Sequence, residues 1–239
     1  MLAATCRLIA VLALLVSIPI DAYAQAPRVT LTEDDPRALS LMAQDIARRT
    51  RSTITFEELV YPDAGDWQFY PDKNPALPLP THQPFTFTYS PQGAVSEILA
   101  TLLAQFHQQS AGTYRVLERE GVFHILPAMS NDANGERVER TSILDLPVTV
   151  RLTRTTGEGV VCEVLRQLKE RWAVDVACQT GIKGDVFGEL GYAEYVEVDV
   201  SARDQLLRVR RDLSQPLSWN ITHSAGRYGV HFFIQQWEP

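Results

Sequence analysis

The sequence predicts an α+β protein built from two tandem two-layer units, each a small mixed sheet with two amphipathic helices on one face. Strand-like alternation and helix-like periodicity follow one another in the order β-α-β-β-α-β-β in both halves of the 239-residue chain. The strand-to-helix junctions at Ser90 and Ser201 are separated by almost the same number of residues as the closing-hairpin glycines Gly121 and Gly229. Each half has about the 100 residues of a common domain. We therefore expect an internal duplication; the alternative is one larger α+β domain.

The first unit is predicted to span residues 25–128. Its first helix has Pro36 at the first helical position, where the missing N–H of proline does no harm. Its second helix follows the alternating stretch FTFTY, with Ser90 as the N-cap and Pro91 as the first helical residue. The apolar residues of this second helix recur at helical spacing: Val95, Ile98, Leu99, Leu102, Leu103 and Phe106.

The second unit is predicted to span residues 142–239, after a polar linker at residues 129–141. Its second helix is expected to begin after Ser201, a serine placed to cap it. Its first helix carries one apolar face, made of Val161, Val164, Leu165, Leu168 and Trp172. In the strand YVEVDV, apolar and acidic residues alternate, which predicts a buried face formed by Val196, Val198 and Val200.

The first 24 residues have the composition of a secretory signal peptide. Arg7 precedes an uncharged apolar run at residues 8–20, and Ala22 and Ala24 supply the small residues of a cleavage site. The alternative is a membrane anchor, but a span needs roughly 20 apolar residues. We therefore expect cleavage after Ala24, a mature protein that does not insert into a membrane, and a periplasmic or secreted location.

Composition limits the partners that the chain could bind. The formal net charge is −7, whereas proteins that bind phosphate backbones are usually basic. Nucleic acid is therefore not an expected partner. No cofactor or metal is expected either, because no histidine stands at ligand spacing from a cysteine.

Cys162 and Cys178 are the two cysteines that remain after the predicted cleavage, and an exported protein can oxidise them. The helix from Cys162 to Trp172 rises about 15 Å, and a strand from Val174 to Cys178 returns about 13 Å. If the strand runs back antiparallel to the helix, the two cysteines reach the same level. The alternative is a pair of buried thiols that pack as small apolar groups.

The predicted disulfide is expected to protect both thiols from alkylation. Closing a loop of this length would stabilise the fold by about 3 kcal/mol. Mass spectrometry of the unreduced mature protein after alkylation should find neither cysteine modified. Two alkylated cysteines in a full-length mature protein would rule the disulfide out.

Two long loops carry the candidate binding residues. The first, at residues 61–84, is rich in proline and contains Trp67, Phe69 and Tyr70. The equivalent loop at residues 179–195 is rich in glycine and contains Phe187, Tyr192 and Tyr195, of which Phe187 and Tyr192 are the binding candidates. Exposed aromatic residues on a long loop are typical of contact surfaces; the alternative is that they cover the open face of a sheet. If both loops lie at one edge, they form one binding surface.

No recognised catalytic motif occurs in the chain. His223 and His231 could face each other across the last hairpin, but histidines on a sheet surface explain them equally. Glu57 and Glu58 are interpreted as solvated residues at a strand end. The helix after Ser201 is basic, which predicts a solvated face or, alternatively, a surface for an acidic partner; its arginines are Arg203, Arg208, Arg210 and Arg211.

The first half resembles the short N-terminal domain of secretins and TonB-dependent receptors (STN-like). The resemblance covers about residues 36–127 and rests on Tyr89-Ser90, Leu102-Leu103, Tyr114-Arg115-Val116 and Gly121. The second half resembles this domain more faintly, and the whole chain resembles secreted bacterial proteins built from two such units. The proline-rich loop has no counterpart in the short domain. The resemblance implies a small non-catalytic interaction module of the periplasm.

We therefore predict an exported, non-catalytic interaction or assembly module of the bacterial envelope, which contacts an envelope or secreted protein through its loops and sheet edges. Two other functions remain open at this stage. One is a secreted enzyme, such as a hydrolase, and the other is a small-ligand binder that uses the aromatic loop. An enzyme should have a deep pocket with titratable groups of perturbed pKa, whereas a contact module should have open edges or an apolar patch.

Overall fold

A computed structural model describes the chain from residue 27 to residue 237, with gaps. The described residues are 27–35, 37–60, 67–69, 78–80, 84–110, 112–132, 134–179, 191–213, 216–224, 226–235 and 237. The predicted signal peptide and most of both aromatic loops lie outside them. Within the described residues the protein is α+β, with four α-helices and several sheets.

The four helices are α1 (Ala38–Thr50), α2 (Val95–Phe106), α3 (Gly157–Trp172) and α4 (Ala202–Asp212). The predicted cap of α4 is confirmed, because the Ser201 hydroxyl accepts a hydrogen bond from the backbone N–H of Asp204. The predicted cap of α2 is wrong. Ser90 instead closes a turn through its carbonyl, which accepts from the N–H of Gly93, and the helix begins after Ala94.

Thirteen strands fall within the described residues. The first eight are β1 (Val29–Glu33), β2 (Thr53–Glu57), β3 (Trp67–Phe69), β4 (Pro78–Pro80), β5 (Phe85–Tyr89), β6 (Thr113–Arg119), β7 (Val122–Asn131) and β8 (Arg137–Glu139). The last five are β9 (Pro147–Thr156), β10 (Val176–Gln179), β11 (Gly191–Ser201), β12 (Leu217–Ser224) and β13 (Arg227–Ile234). Much of the predicted linker at residues 129–141 is a hairpin, because β8 pairs with the end of β7.

One large sheet has the strand order β10-β13-β12-β2-β7-β6, with β8 added to β7. Three two-stranded ribbons stand apart from it: β1–β5, β9–β11 and β3–β4. Each half therefore divides its strands between sheets and does not form the single small sheet that we predicted. The helices explain this division. Helix α1 packs against both β1 and β2, and α2 against both β5 and β6, so the first pair of helices contacts a ribbon as well as the large sheet.

The two halves are joined through β2 and β12, which pair in parallel. Asn220 lies opposite Phe56, and the backbone N–H of Glu58 donates to the carbonyl of Ile221 at 2.8 Å. Side chains alternate between the two faces of a strand. On one face of the joined sheet, Phe56 packs in a core with α1 and α2. On the other face, Ile221 packs in a core with α3 and α4. The two pairs of helices thus cover opposite faces.

The two cores are not divided strictly at the middle of the chain. Val122, from the first half, is fully buried in the core formed by α3 and α4. The large residue at the centre of that core is Trp219, which is 1% exposed. Its ring lies 5.7 Å from the ring of His124 on β7, centroid to centroid. Residues of the first half therefore contribute to the packing of the second.

The predicted orientation of β11 is wrong. Val196 and Val198 are 44% and 50% exposed, whereas Tyr195 is fully buried. The Tyr195 ring buries more apolar area than a valine side chain, and its hydroxyl donates to the side chain of Gln205 at 3.0 Å. The strand then changes register between Glu197 and Val200, and this irregularity alters the alternation on which the prediction rested.

Trp172, which was predicted to lie on the buried face of α3, is 40% exposed. Its indole N–H donates to the carbonyl of Pro147 at 2.8 Å, so the ring covers the start of β9 from outside.

No disulfide is seen among the side chains that the structure describes. Cys162 lies on α3 and is partly buried. The backbone of Cys178 lies in β10 opposite Val230, but its side chain is outside the described part of the chain. The Cys162–Cys178 disulfide therefore stays a prediction.

The two tryptophans provide a matched test of the packing. Trp219→Ala should cost about 3–5 kcal/mol of unfolding free energy, because it empties the centre of a core. Trp172→Ala should cost less than about 1.5 kcal/mol, since it removes one hydrogen bond and a partly exposed ring. Urea denaturation followed by circular dichroism measures both. If Trp219→Ala does not fold, Trp219→Phe serves in its place, and equal losses for the two positions would contradict the packing described above.

Candidate functional site

The structure describes one side chain of the predicted aromatic surface. Tyr192 is half-buried, and its hydroxyl donates to Asp212 at the end of α4 at 3.0 Å. Burial and the Asp212 carboxylate raise the pKa of Tyr192. Tyr192 therefore packs against the core of its own chain that contains α3 and α4. The backbones of Trp67 and Phe69 lie in β3, but their side chains, and Tyr70 and Phe187 altogether, lie outside the described residues.

The sequence interpretation of Glu57 and Glu58 is wrong, because both are only 3% exposed. The Glu57 carboxylate accepts from the hydroxyl of Ser142 and from the backbone N–H of Ile143, the latter at 2.9 Å. The Glu58 carboxylate accepts from Arg37 at 3.1 Å and from the backbone N–H of His223 at 2.6 Å. Each carboxylate therefore connects the end of β2 to segments that are remote in sequence.

Arg203 is the cation of this cluster, and it is fully buried. Its guanidinium donates to Asp145 at 3.0 Å and to the Ser142 hydroxyl at 2.6 Å, and it lies 3.8 Å from Glu57. The predicted solvated face of α4 is therefore wrong at this position. Glu57, Ser142, Asp145 and Arg203, which we call the buried polar cluster, link β2 to α4 through a short 3₁₀ turn, Ile143–Asp145.

The other arginines of α4 also contact neighbouring groups. Arg210 donates to the hydroxyl of Thr53 on β2 at 3.0 Å. The Arg208 guanidinium lies 4.7 Å from the centre of the Tyr195 ring and forms an ion pair with Glu197. Arg211 is the most exposed of the four, with 59% of its side chain accessible. Of the four arginines of α4, Arg203 and Arg210 therefore contact the first half of the protein, whereas Arg211 is mainly exposed to solvent.

His124 lies between the first-half strands and α4 and is fully buried. Its Nδ1 is 2.7 Å from the hydroxyl of Thr55, and its Nε2 has no hydrogen-bond partner among the described residues. Burial, together with the positive charges of Arg203, Arg119 and Arg210, lowers the pKa of His124 to about 3. The imidazole is therefore neutral at physiological pH.

The last hairpin does not bring His223 and His231 together. His223 lies opposite Tyr228, with the two rings 4.9 Å apart, and His231 lies opposite Asn220. Within the described residues, no group of three or more histidine, cysteine, aspartate or glutamate side chains is arranged to hold a metal ion.

A cavity of about 170 Å³ lies beside the two buried glutamates. It is lined by Glu57, Glu58, Val60, Pro127, Glu139, Arg140, Thr141 and Tyr228. Burial is the main cause that raises the pKa of both Glu57 and Glu58, although their hydrogen bonds and nearby arginines oppose it. A protonated carboxyl group in a cavity could act as a general acid. Each of the four carboxylate oxygens, however, already accepts a hydrogen bond from the protein.

Two further cavities occur at the surface. One, of about 370 Å³, lies between α1 and the end of β13 and is lined by charged, amide and apolar side chains, including Glu33, Asp45 and Phe233. The other, of about 240 Å³, lies between α4 and the turn from β6 to β7.

No protein-family model matches the chain, and neither a curated protein nor a solved structure was found to be similar to it. Within the described residues, no helix is both long enough and apolar enough to cross a membrane.

Arg203→Met is expected to destabilise the protein by about 3–5 kcal/mol, because it leaves the buried carboxylate of Glu57 without its cation. Arg166→Met is the matched control on α3. Arg166 is also ion-paired, but its side chain is 48% exposed, so its loss should cost at most about 1 kcal/mol. Chemical denaturation at pH 7 measures both variants. Similar losses would show that the buried polar cluster does not stabilise the fold more than a surface ion pair.

The pH dependence of the unfolding free energy should show the lowered pKa of His124. At pH values between its folded pKa of about 3 and the ordinary pKa of 6.5, His124 is protonated in the unfolded chain but neutral in the folded protein. The free energy of unfolding should therefore fall as the pH drops below 6.5, by up to about 1.4 kcal/mol per pH unit from this group. Glu57 and Glu58 act in the opposite direction, since their raised pKa values favour the folded state at lower pH, down to the ordinary glutamate pKa of 4.5.

Denaturation of the wild-type protein and of His124→Gln between pH 4.5 and 7 separates these contributions. The difference in unfolding free energy between the two proteins should change with pH below 6.5, whatever the cost of the substitution at pH 7. Parallel profiles over this range would contradict a depressed pKa for His124.

Proposed function

We propose that this protein is an exported, non-catalytic interaction module of the bacterial envelope, built from two units of one design, which contacts a protein partner through its open β-ribbon. The observation that carries the proposal is the exposed apolar face of the β9–β11 ribbon. The signal-peptide composition of the first 24 residues supports an envelope or secreted location.

The pairing of the strands supports two units of one design. In the first half, β2 pairs in parallel with β7, and β7 pairs antiparallel with β6. In the second half, β10 pairs in parallel with β13, and β13 pairs antiparallel with β12. The ribbons β1–β5 and β9–β11 are both antiparallel, and each contacts the helices of its own half. Corresponding elements thus have the same order and the same pairing sense, as the resemblance to the STN-like domain implies.

The exposed face of the β9–β11 ribbon is suited to contact a protein. Val196 and Val198 are about half exposed at alternate positions of β11, and Arg151 lies opposite Val196 on β9. Within the described residues, neither β9 nor β11 pairs with any other strand. A ribbon with exposed valines and unpaired edges is a surface that proteins ordinarily cover or use for contact. The valine pair with Arg151 is called the ribbon face below.

The second candidate function is that of an enzyme, and the cavity beside Glu57 and Glu58 favours it. Buried carboxyl groups with raised pKa values are common at active sites. Their four oxygens nevertheless bind Ser142, Ile143, Arg37 and His223 of the same chain. A substrate would have to displace these contacts or share the same oxygens, so a structural role accounts for the pair more simply.

A crosslinked capture from the cell envelope tests the interaction module. The bait is the tagged mature protein, residues 25–239, and the comparison is the double variant Val196→Asp/Val198→Asp. Charges placed on two exposed valines should leave the fold intact but prevent an apolar contact. The matched control is Thr86→Asp/Thr88→Asp, which places two charges at exposed alternate positions of the other ribbon, β1–β5.

An envelope protein captured by the wild type and the control, but reduced at least tenfold with the valine variant, would support the ribbon face. Equal capture by all three proteins would contradict a role for this face. If the wild type captures no protein above background, the module itself is contradicted. A hydrolase screen with Glu58→Gln as the inactive reference would then examine the cavity beside Glu57 and Glu58.

A further inference from the structure

We infer that the cleft between α4 and the β6–β7 turn binds a small oxyanion, a phosphate or carboxylate group. This site is separate from the ribbon face, since it lies where the second half meets the turn of the first. Its position, its donors and its size support this assignment independently of the proposed function.

The cleft has a volume of about 240 Å³ and contains three guanidinium groups. It is lined by Arg119, Glu120, Glu197, Val200, Asp204, Gln205, Arg208 and Arg211. Guanidinium groups match the planar geometry of carboxylate and phosphate oxygens and bind them through paired N–H donors. Three carboxylates line the cleft together with the three arginines, so its formal charge is zero, whereas the whole chain carries −7.

The arginines of the cleft are not saturated by their ion pairs. Arg119 contacts Asp204 at 2.9 Å through Nη2, and Arg211 approaches Glu120 only to 3.7 Å through Nη1. A guanidinium has five N–H donors, so most of those on both arginines remain available. The side chains of Arg119 and Arg211 are 46% and 59% exposed, and a ligand from solvent can reach them.

Gln205 supplies the second, independent observation. It is fully buried, and its amide NH₂ has no hydrogen-bond partner among the described residues. Its carbonyl oxygen accepts from the Tyr195 hydroxyl at 3.0 Å. Gln205 is one of the residues that line the cleft. A buried donor without a partner is rare in folded proteins, and an anion in the cleft would satisfy it.

Two features set the size and the affinity of the ligand. The cleft is smaller than the roughly 300–1,000 Å³ of pockets for drug-sized ligands, so it admits an anionic group and little more. Of the carboxylates that line the cleft, Glu120 makes the weakest ion pair with its arginine, because it is 3.7 Å from Arg211 and both side chains are well exposed. An oxyanion would bind by replacing Glu120 on Arg211.

Isothermal titration calorimetry of the mature protein with inorganic phosphate, at constant ionic strength set by sodium chloride, tests the site. Arg211→Gln and Arg119→Gln should each weaken phosphate binding at least tenfold. Glu120→Gln should strengthen it several-fold, because it removes the competing carboxylate while preserving the size of the side chain. Arg166→Gln is the control, an exposed and ion-paired arginine on α3 whose loss should leave binding unchanged.

Arg211→Gln and Arg166→Gln remove the same charge at two different places, so a loss of binding at Arg211 alone separates a specific site from general electrostatic attraction. Acetate and a short phosphoserine peptide, with its unphosphorylated form, extend the titration. Tighter binding of the phosphopeptide than of free phosphate would identify a group carried by a macromolecule, and equal binding would identify the free ion. The inference is overturned if none of these probes binds saturably, or if Arg166→Gln weakens binding as much as Arg211→Gln does.

Discussion

Strand β2 is the element on which the rest of the structure depends. It pairs with β7 of its own half on one side and with β12 of the other half on the other side. All five of its residues are buried. Because side chains alternate along a strand, Ile54 and Phe56 pack with α1 and α2, while Thr53, Thr55 and Glu57 face α4. One short strand thereby contributes to two environments, one apolar and one polar.

The polar side of β2 carries an ordered series of contacts. Thr53 binds Arg210, Thr55 binds His124, and Glu57 binds the cluster that contains Arg203. Such contacts do not add stability simply by being buried, because every charge must first be removed from water. They do specify geometry, since a displaced α4 would leave Arg203 and Glu57 buried without partners. These contacts, which we call the seam between the halves, therefore define one position of α4 relative to β2. An apolar interface of the same size would define that position less strictly.

The seam also explains why stability and binding are assigned to different arginines. Arg203 is enclosed and bound on three sides, so its role is to hold the halves together. Arg119 and Arg211 lie at the open end of the same seam, where each makes one ion pair and retains free donors. The buried end is closed to solvent and the open end is not, which leaves the open end able to receive an oxyanion.

The sequence by itself determined the α+β class, the four helices with the strands next to them, and the cap of α4 at Ser201, but not β3, β4 and β8, which lie in segments that it predicts as loop or linker. These features depend on local periodicity and on hydrogen bonds between near neighbours, which a chain carries wherever it folds. It did not determine which of several apolar residues is buried, because Tyr195 and Val196 are both plausible until the bulge and Gln205 select the tyrosine. Nor could it place Glu57, Glu58 and Arg203. Only the tertiary structure decided that these charges are buried, since their partners come from segments more than twenty residues away or from the other half of the chain.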